Sequence, residues 1–287
     1  MLFRSAQPQR VTDELRTWIV AQAQAGCRPE DVLASMRASG WAEDVAIAAL
    51  ESTLMQRLQE MGLPVPTVPT PLPEPNLAAQ PAVIHALDRD VQVLSTLRLP
   101  RVVVFGGLLS HEECDGLVAL SRTRLARSET VDNQTGGSEV NAARTSDGMF
   151  FERGEFALID TIERRLAALL NWPLDHGEGL QVLRYRSGAE YRPHHDYFDP
   201  AQPGAASILA RGGQRVATLI MYLSSPERGG GTVFPDAGLE VAPIKGNAVF
   251  FSYDRPHQGT RTLHGGAPVL AGEKWVATKW LREGVFA

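Results

Sequence analysis

The chain is 287 residues long, 44% hydrophobic and 21% charged, with a formal net charge of −5. Those values fit an ordinary soluble globular protein with one large domain, or one domain plus a small module. The mildly acidic balance gives no electrostatic reason to expect a nucleic acid or an anionic membrane as partner.

The opening MLFRSAQPQR holds no apolar run of signal-peptide length, and no later run approaches a membrane span. Cys27 and Cys114 are the two cysteines, and both are expected as reduced thiols of a cytoplasmic protein. Residues 10–62 read as three short helices. Thr12 is a candidate N-cap before a stripe of Leu15, Trp18, Ile19 and Ala23. Pro29 suits a first helical turn ahead of Val32, Leu33 and Met36, and Gly40 a stop. Val45, Ala49, Leu50, Leu54 and Leu58 continue on a third helix. The run from Gly40-Trp41 to Ala49-Leu50 is similar to ubiquitin-associated-type three-helix modules. Residues 1–62 are therefore expected as a small helical module with the potential to bind a protein partner.

Six prolines between Pro64 and Pro75 cannot support helix or sheet ladders, so residues 63–90 are expected as an extended linker. From residue 91 to 287 the texture is that of a second domain. RVVVFGG reads as a strand, SHEECDGLVALSRTRL and FALIDTIERRLAALL as amphipathic helices. Strand-like runs separated by turns follow: GLQVLRYR, RVATLIMYLSS, GTVFP, LEVAPIKGNAVFFSYD and KWVATKWL. The expected class is α+β, a jelly-roll core (a double-stranded β-helix) with flanking helices.

The chemistry concentrates in YRPHHDYFDP, residues 191–200. If residues 194–196 are extended, His194 and Asp196 share a face and His195 points away. A third ligand is expected downstream. His264, at a strand end before two glycines, is better placed than His257, in a turn with Pro256. Two imidazoles and one carboxylate match the facial set of non-haem iron oxygenases, and a zinc site could use the same residues. Three of the 28 basic residues are lysines. Lys274 follows His264 across a turn and would return near the metal, where a buried lysine needs an anion; the far carboxylate of 2-oxoglutarate would supply one. Val276, Thr278 and Trp280 share its face.

Five ordered blocks over about residues 100–282 resemble the prolyl 4-hydroxylases of the Fe(II)/2-oxoglutarate dioxygenase superfamily: LSHEECDGLVALS, RTSDGMF, GEGLQVLRYRSGAEYRPHHDYF, GGQRVATLIMYLSSPERGGGTVFP and LHGGAPVLAGEKWVATKWL. Ala189 departs from the glutamine usual in that family. The resemblance implies His194, Asp196 and His264 as Fe(II) ligands. Lys274, Tyr185 and Thr232 would hold 2-oxoglutarate, and Tyr191 and Trp280 would be the aromatics beside the reacting proline. Arg144, Ser146, Glu178 and Arg215 would hold a peptide. It implies that residues 128–143 form a loop closing over the substrate. The implied reaction hydroxylates prolyl residues of a peptide or protein while O2 and 2-oxoglutarate yield succinate and CO2, with ascorbate sustaining the iron. A 2-oxoglutarate oxygenase acting on a free amino acid or another small molecule would keep the same metal residues. An interaction protein working through residues 10–62 is the other alternative.

Overall fold

The computed structural model describes residues 9–61 and 71–287, apart from residues 129, 132–134, 136 and 140–142. It divides into two compact units, residues 1–69 and 70–287. Among the described residues no helix is long and apolar enough to cross a membrane.

The first unit is the expected three-helix module: α1 (Asp13–Gln24), α2 (Pro29–Ala38) and α3 (Glu43–Glu60). Thr12 caps α1 by accepting from the Leu15 amide, and Pro29 opens α2. Its core is Ile19, Val32, Met36, Ala46, Ala49 and Leu50. Ala46 takes the place expected of Val45, and Ala23 is exposed, because small side chains let α3 approach its neighbours closely.

The second unit opens with β1 (Val83–Ala86), β2 (Arg89–Leu97), β3 (Arg101–Gly106) and α4 (His111–Ser121). Short strands β4 (Ala126–Arg127), β5 (Thr130–Val131) and β6 (Ser138–Glu139) lead to β7 (Asp147–Phe151) and α5 (Ala157–Leu170). Then come β8 (Leu180–Tyr185), β9 (Tyr191–His194), α6 (Ala205–Leu209) and β10 (Arg215–Tyr222). The chain finishes through β11 (Arg228–Gly229), β12 (Thr232–Phe234), β13 (Leu239–Val241), β14 (Ala248–Ser252), β15 (His264–Gly266), β16 (Val269–Ala271) and β17 (Lys274–Arg282).

The nine-stranded sheet runs β1-β2-β3-β14-β10-β17-β8-β7-β4, and a four-stranded sheet runs β13-β12-β15-β9. Eight strands build the jelly roll. Along the chain, β8, β10, β14 and β17 enter the large sheet, while β9, β12, β13 and β15 enter the small one. Every residue of β14 and β17 is buried. One face of the large sheet meets the helices through Val182, Leu219, Phe250 and Ala277, with Ile159, Ile162 and Leu166 of α5 opposite. Its other face carries Leu183, Tyr222, Phe251 and Val276 in a second apolar cluster with Phe234 of the small sheet. Ser110 and Glu113 cap α4 reciprocally. Cys114 on α4 is buried, whereas Cys27 is exposed.

The expected linker of residues 63–90 ends too late. Residues 62–70, with Pro64, Pro66 and Pro69, lie outside the described residues. Pro73 and Pro75 are buried, and Leu72 and Leu77 pack on the main core. The Glu74 amide donates to the Leu170 carbonyl at 2.9 Å, and Arg101 pairs with the Glu74 carboxylate. Strands β1 and β2 cover the stretch assigned to the linker's end. Arg165 of α5, fully buried, fixes this corner by donating to Asp88 at 2.7 Å and Glu113 at 2.6 Å. A proline excluded from a ladder still packs against one, and the composition of residues 70–90 hid that difference.

A chain begun at Thr70 should therefore melt as one cooperative unit. A chain begun at Val91 lacks β1 and leaves Arg165 without Asp88. Asp88 is partly exposed and Arg165 keeps Glu113, so the ion pair itself contributes modestly, but with the packing of β1 also lost the melting temperature should be lower than that of the chain begun at Thr70 on a calorimetric scan.

Candidate functional site

Register delivers the site. His264 faces His194 across the β15–β9 pair, and Lys274 faces Tyr185 across the β17–β8 pair. On β17 the period of two sends Lys274, Val276, Thr278 and Trp280 into one cavity between the sheets, joined by Leu183 and Tyr185 of β8 and by Ile220 of β10. Arg144, Tyr191, His194, Asp196, Thr232 and His264 line the same cavity.

Among the described residues His194, Asp196 and His264 are the one group of histidine, cysteine or acidic side chains with converging ligand atoms, all within 4.8 Å of one another. His194 Nδ1 lies 3.0 Å from the Arg192 carbonyl, and His264 Nδ1 lies 3.0 Å from the Thr262 carbonyl. A carbonyl only accepts, so each Nδ1 carries the proton and each Nε2 keeps its lone pair. Those Nε2 atoms stand 3.5 Å and 3.4 Å from Asp196 Oδ1 and Oδ2. Burial alone would raise the Asp196 carboxyl, but the two imidazoles and Arg215 outweigh it and hold it well below the usual carboxylate range. Burial pushes His264 down to about 4 against the pull of Asp196, which favours the neutral ring. Two neutral nitrogen donors and one carboxylate fit a divalent first-row metal, and three protein ligands leave coordination positions open.

Asp196 reaches this place differently from the expectation. β9 ends at His194 and the chain bends at Asp196 rather than continuing extended. Asp196 nonetheless arrives on the His194 side, while His195 turns away to stack on Tyr197 at 4.6 Å. His257 sits in a turn, where its Nδ1 accepts from the Gly259 amide at 2.9 Å; it lies outside the cavity. Gly265, next to His264, permits the close approach of β15 to β9, since a Cβ there would stand 2.8 Å from the Tyr191 carbonyl oxygen.

Lys274 is 3% exposed. The other two lysines are ion-paired, Lys245 with Asp115 and Lys279 with Glu163. Lys274 has no carboxylate partner among the described residues; its Nζ lies 5.5 Å and 5.9 Å from the ring centres of Tyr185 and Tyr222. Burial pushes the ammonium down to about 8, with Glu240 opposing from a distance. A buried cation without a counter-charge among the described residues is a candidate binding site for an anion. Thr232 stands ready beside it: its hydroxyl accepts from Tyr222 at 2.8 Å, which leaves its own proton to give.

The remaining expected residues divide. Arg144 donates to Gln181 at 2.8 Å and lies 4.8 Å from the centre of the Tyr191 ring, at the cavity wall. Tyr191 stacks on His194 at 3.7 Å, and burial pushes its phenol up to about 12. Trp280 presents a buried indole N–H with no acceptor among the described residues. Ser146, Glu178 and Arg215 do not line the cavity. Ser146 donates to Ser128. Glu178 is buried between Arg215 and Arg282, at 2.6 Å and 2.7 Å. Arg215 also reaches the Asp196 carbonyl at 3.4 Å and lies 4.0 Å from the centre of the Trp280 ring. Half of the loop expected over residues 128–143 falls outside the described residues. Sequence reading missed Thr218 and Tyr253, whose hydroxyls reach Asp196 in series. The signal was the alternation of Thr218, Ile220 and Tyr222 along β10, which puts all three on the cavity side.

Residues 180–282 match the family model of the 2OG-Fe(II) oxygenase superfamily. The chain is 42% identical over 208 residues to an Arabidopsis thaliana protein named Probable prolyl 4-hydroxylase 3, covering 65% of this chain and 71% of that protein. It is 44% identical over 201 residues to Prolyl 4-hydroxylase 1 of the same plant, covering 64% and 69%. A solved structure of the viral collagen prolyl hydroxylase of Paramecium Bursaria Chlorella virus-1, in complex with 2OG, is 32% identical. It superimposes with a TM-score of 0.49 and covers 63% of this chain and 95% of that one.

Glu178 neutralises two buried guanidinium groups, so Glu178→Gln should cost about 3–5 kcal/mol of stability in a urea titration. Ser146→Ala, which removes one neutral hydrogen bond, should cost about 1 kcal/mol.

Proposed function

Because the chain belongs to the prolyl 4-hydroxylase-like family of 2OG-Fe(II) oxygenases, we propose that the cavity between its sheets is the active site. The chain is a dioxygenase that hydroxylates prolyl residues of a peptide or protein and oxidatively decarboxylates 2-oxoglutarate to succinate and CO2. The observation that carries the assignment of residues is the placement of Lys274, a buried ammonium without a carboxylate partner among the described residues, in the same cavity as His194, Asp196 and His264.

In this reading His194, Asp196 and His264 would hold Fe(II). Iron so held couples O2 and 2-oxoglutarate to the oxidation of an unactivated C–H bond. The protein binds, orients and excludes water. Lys274 pairs with the far carboxylate of 2-oxoglutarate, Thr232 donates its free proton to it, and Tyr185, directly across from Lys274, walls that end. The stacked pair Tyr191 and His194 and the indole of Trp280 form the apolar side on which a proline ring rests. Arg144, anchored by Gln181, stands at the wall facing a peptide. Glu178 and Arg215 act from behind the cavity, as supports for Asp196 and Trp280. An ascorbate requirement and a cytoplasmic location are proposed from the sequence resemblance and the two free thiols. The helical module, which has a core of its own, is proposed to recruit a protein partner.

His194→Ala, Asp196→Ala and His264→Ala should each abolish succinate formation, while His195→Ala and His257→Ala retain it. A proline-containing peptide should stimulate turnover and gain one oxygen atom by mass spectrometry; stimulation by free proline alone would move the reading to a small-molecule oxygenase. Lys274→Ala should raise the KM for 2-oxoglutarate at least about 100-fold, since one partner of a buried pair is lost. The lowered ammonium keeps its charge below about pH 8 and loses it as the pH rises through that value. Calorimetric affinity for 2-oxoglutarate should accordingly weaken by up to about tenfold per pH unit above 8. Lys274→Ala should remove that slope.

A further inference from the structure

Behind the carboxylate of Asp196 lie two hydroxyls that the proposed reaction leaves without a task. Thr218 is fully buried on β10 and Tyr253, 2% exposed, follows β14; the Tyr253 amide donates to the Val216 carbonyl at 2.9 Å, which seats the tyrosine beside β10. Thr218 Oγ1 lies 2.7 Å from Asp196 Oδ2 and 3.0 Å from the Tyr253 hydroxyl. Neither hydroxyl has another partner among the described residues.

The direction of this chain follows from proton counting. A carboxylate that holds a cation is ionised and can only accept. Thr218 has one proton, so that proton goes to Asp196. The contact between Thr218 and Tyr253 must then be made by the tyrosine proton. The series runs Tyr253 to Thr218 to Asp196, and burial of both hydroxyls excludes water as a competing partner. The consequence falls on the carboxylate: the Thr218 proton on Oδ2 fixes the rotation of the group, with Oδ2 3.4 Å from His264 Nε2 and Oδ1 3.5 Å from His194 Nε2. The Asp196 carbonyl is held independently by Arg215 at 3.4 Å, so main chain and side chain are fixed by different elements.

We propose that Thr218, oriented by Tyr253, is a positioning residue that fixes the orientation in which the Asp196 carboxylate would hold a metal. This rests on the reading that His194, Asp196 and His264 hold the metal. Partners behind a ligating carboxylate typically contribute 10–100-fold to metal affinity, and a hydroxyl chain in a dry interior loses that contribution if either proton is removed.

The test uses the full-length protein, stripped of metal, and Mn(II) alone as probe, with binding followed by the loss of the free-ion paramagnetic resonance signal. Thr218→Val keeps the shape and removes the hydroxyl; it should weaken Mn(II) binding about 10–100-fold. Thr218→Ser keeps the proton and should restore most of the affinity. Tyr253→Phe, which leaves the threonine proton present but no longer directed, should give a smaller loss than Thr218→Val. Melting curves of the metal-free variants separate a loss of fold from a loss of ligand geometry. Parent-like affinity in folded Thr218→Val, or Thr218→Ser as weak as Thr218→Val, overturns the proposal. If Thr218→Val does not fold, parent-like Mn(II) affinity in Tyr253→Phe overturns it. A folded parent chain that binds no Mn(II) overturns the metal reading itself, and this proposal with it, whereas parent binding with an indifferent Thr218→Val leaves that reading standing.

Discussion

In an antiparallel sheet a slip of one residue turns every side chain to the opposite face, and every wall of this cavity depends on that not happening. Lys274 meets Tyr185 because β17 and β8 pair in one register, and Thr218 meets Trp280 because β10 and β17 pair in another. His264 meets His194 because β15 lies on β9 closely enough to need Gly265. The register is itself held by burial. The alternate residues Ala277, Leu219 and Val182 are packed against the helices, so a slip would put Lys274 and Thr218 into an apolar layer and bring leucine and valine to the cation's side. The same burial that defines the sheets therefore defines the chemistry.

The candidate metal and anion sites were legible in the sequence for different reasons. His194, Asp196 and His264 are rare residue types at a period-two spacing and a strand end, and their chemistry is visible without a fold. Lys274 stood out because this chain has few lysines, and it is buried with no carboxylate partner among the described residues. The resemblance placed Tyr185 at the same end of the site, and its position across from Lys274 came only with the structure, because register across two strands is not written in either one. Thr218 and Tyr253 carry no such mark. Threonine and tyrosine are ordinary strand residues, and what singles them out is the direction of a proton between them. Glu178 and Arg215 show the converse. Their motif was readable, but the motif does not distinguish a charge that faces a substrate from one that neutralises Arg282 in the interior.

The fold class and the helical module followed from periodicity, and the domain boundary did not. Proline frequency marks where a chain cannot form ladders and says nothing about whether it is docked. Residues 70–90 look like a spacer by composition, yet Pro73 and Pro75 are buried and Asp88 pairs with Arg165, 77 positions further on. Long-range partners of this kind leave no local signature.

The two cysteines differ in a way that has a practical consequence. Cys27 is exposed in the helical module, near Gln22. Cys114 is buried under the sheet, where desolvation pushes its thiol up to about 11, so at neutral pH it offers almost no thiolate and no access. A maleimide added to the folded protein therefore meets a single reactive thiol, and that thiol lies outside the oxygenase unit. The native chain thus carries one attachment point for a fluorophore, a spin label or a surface tether, without any cysteine being added or removed.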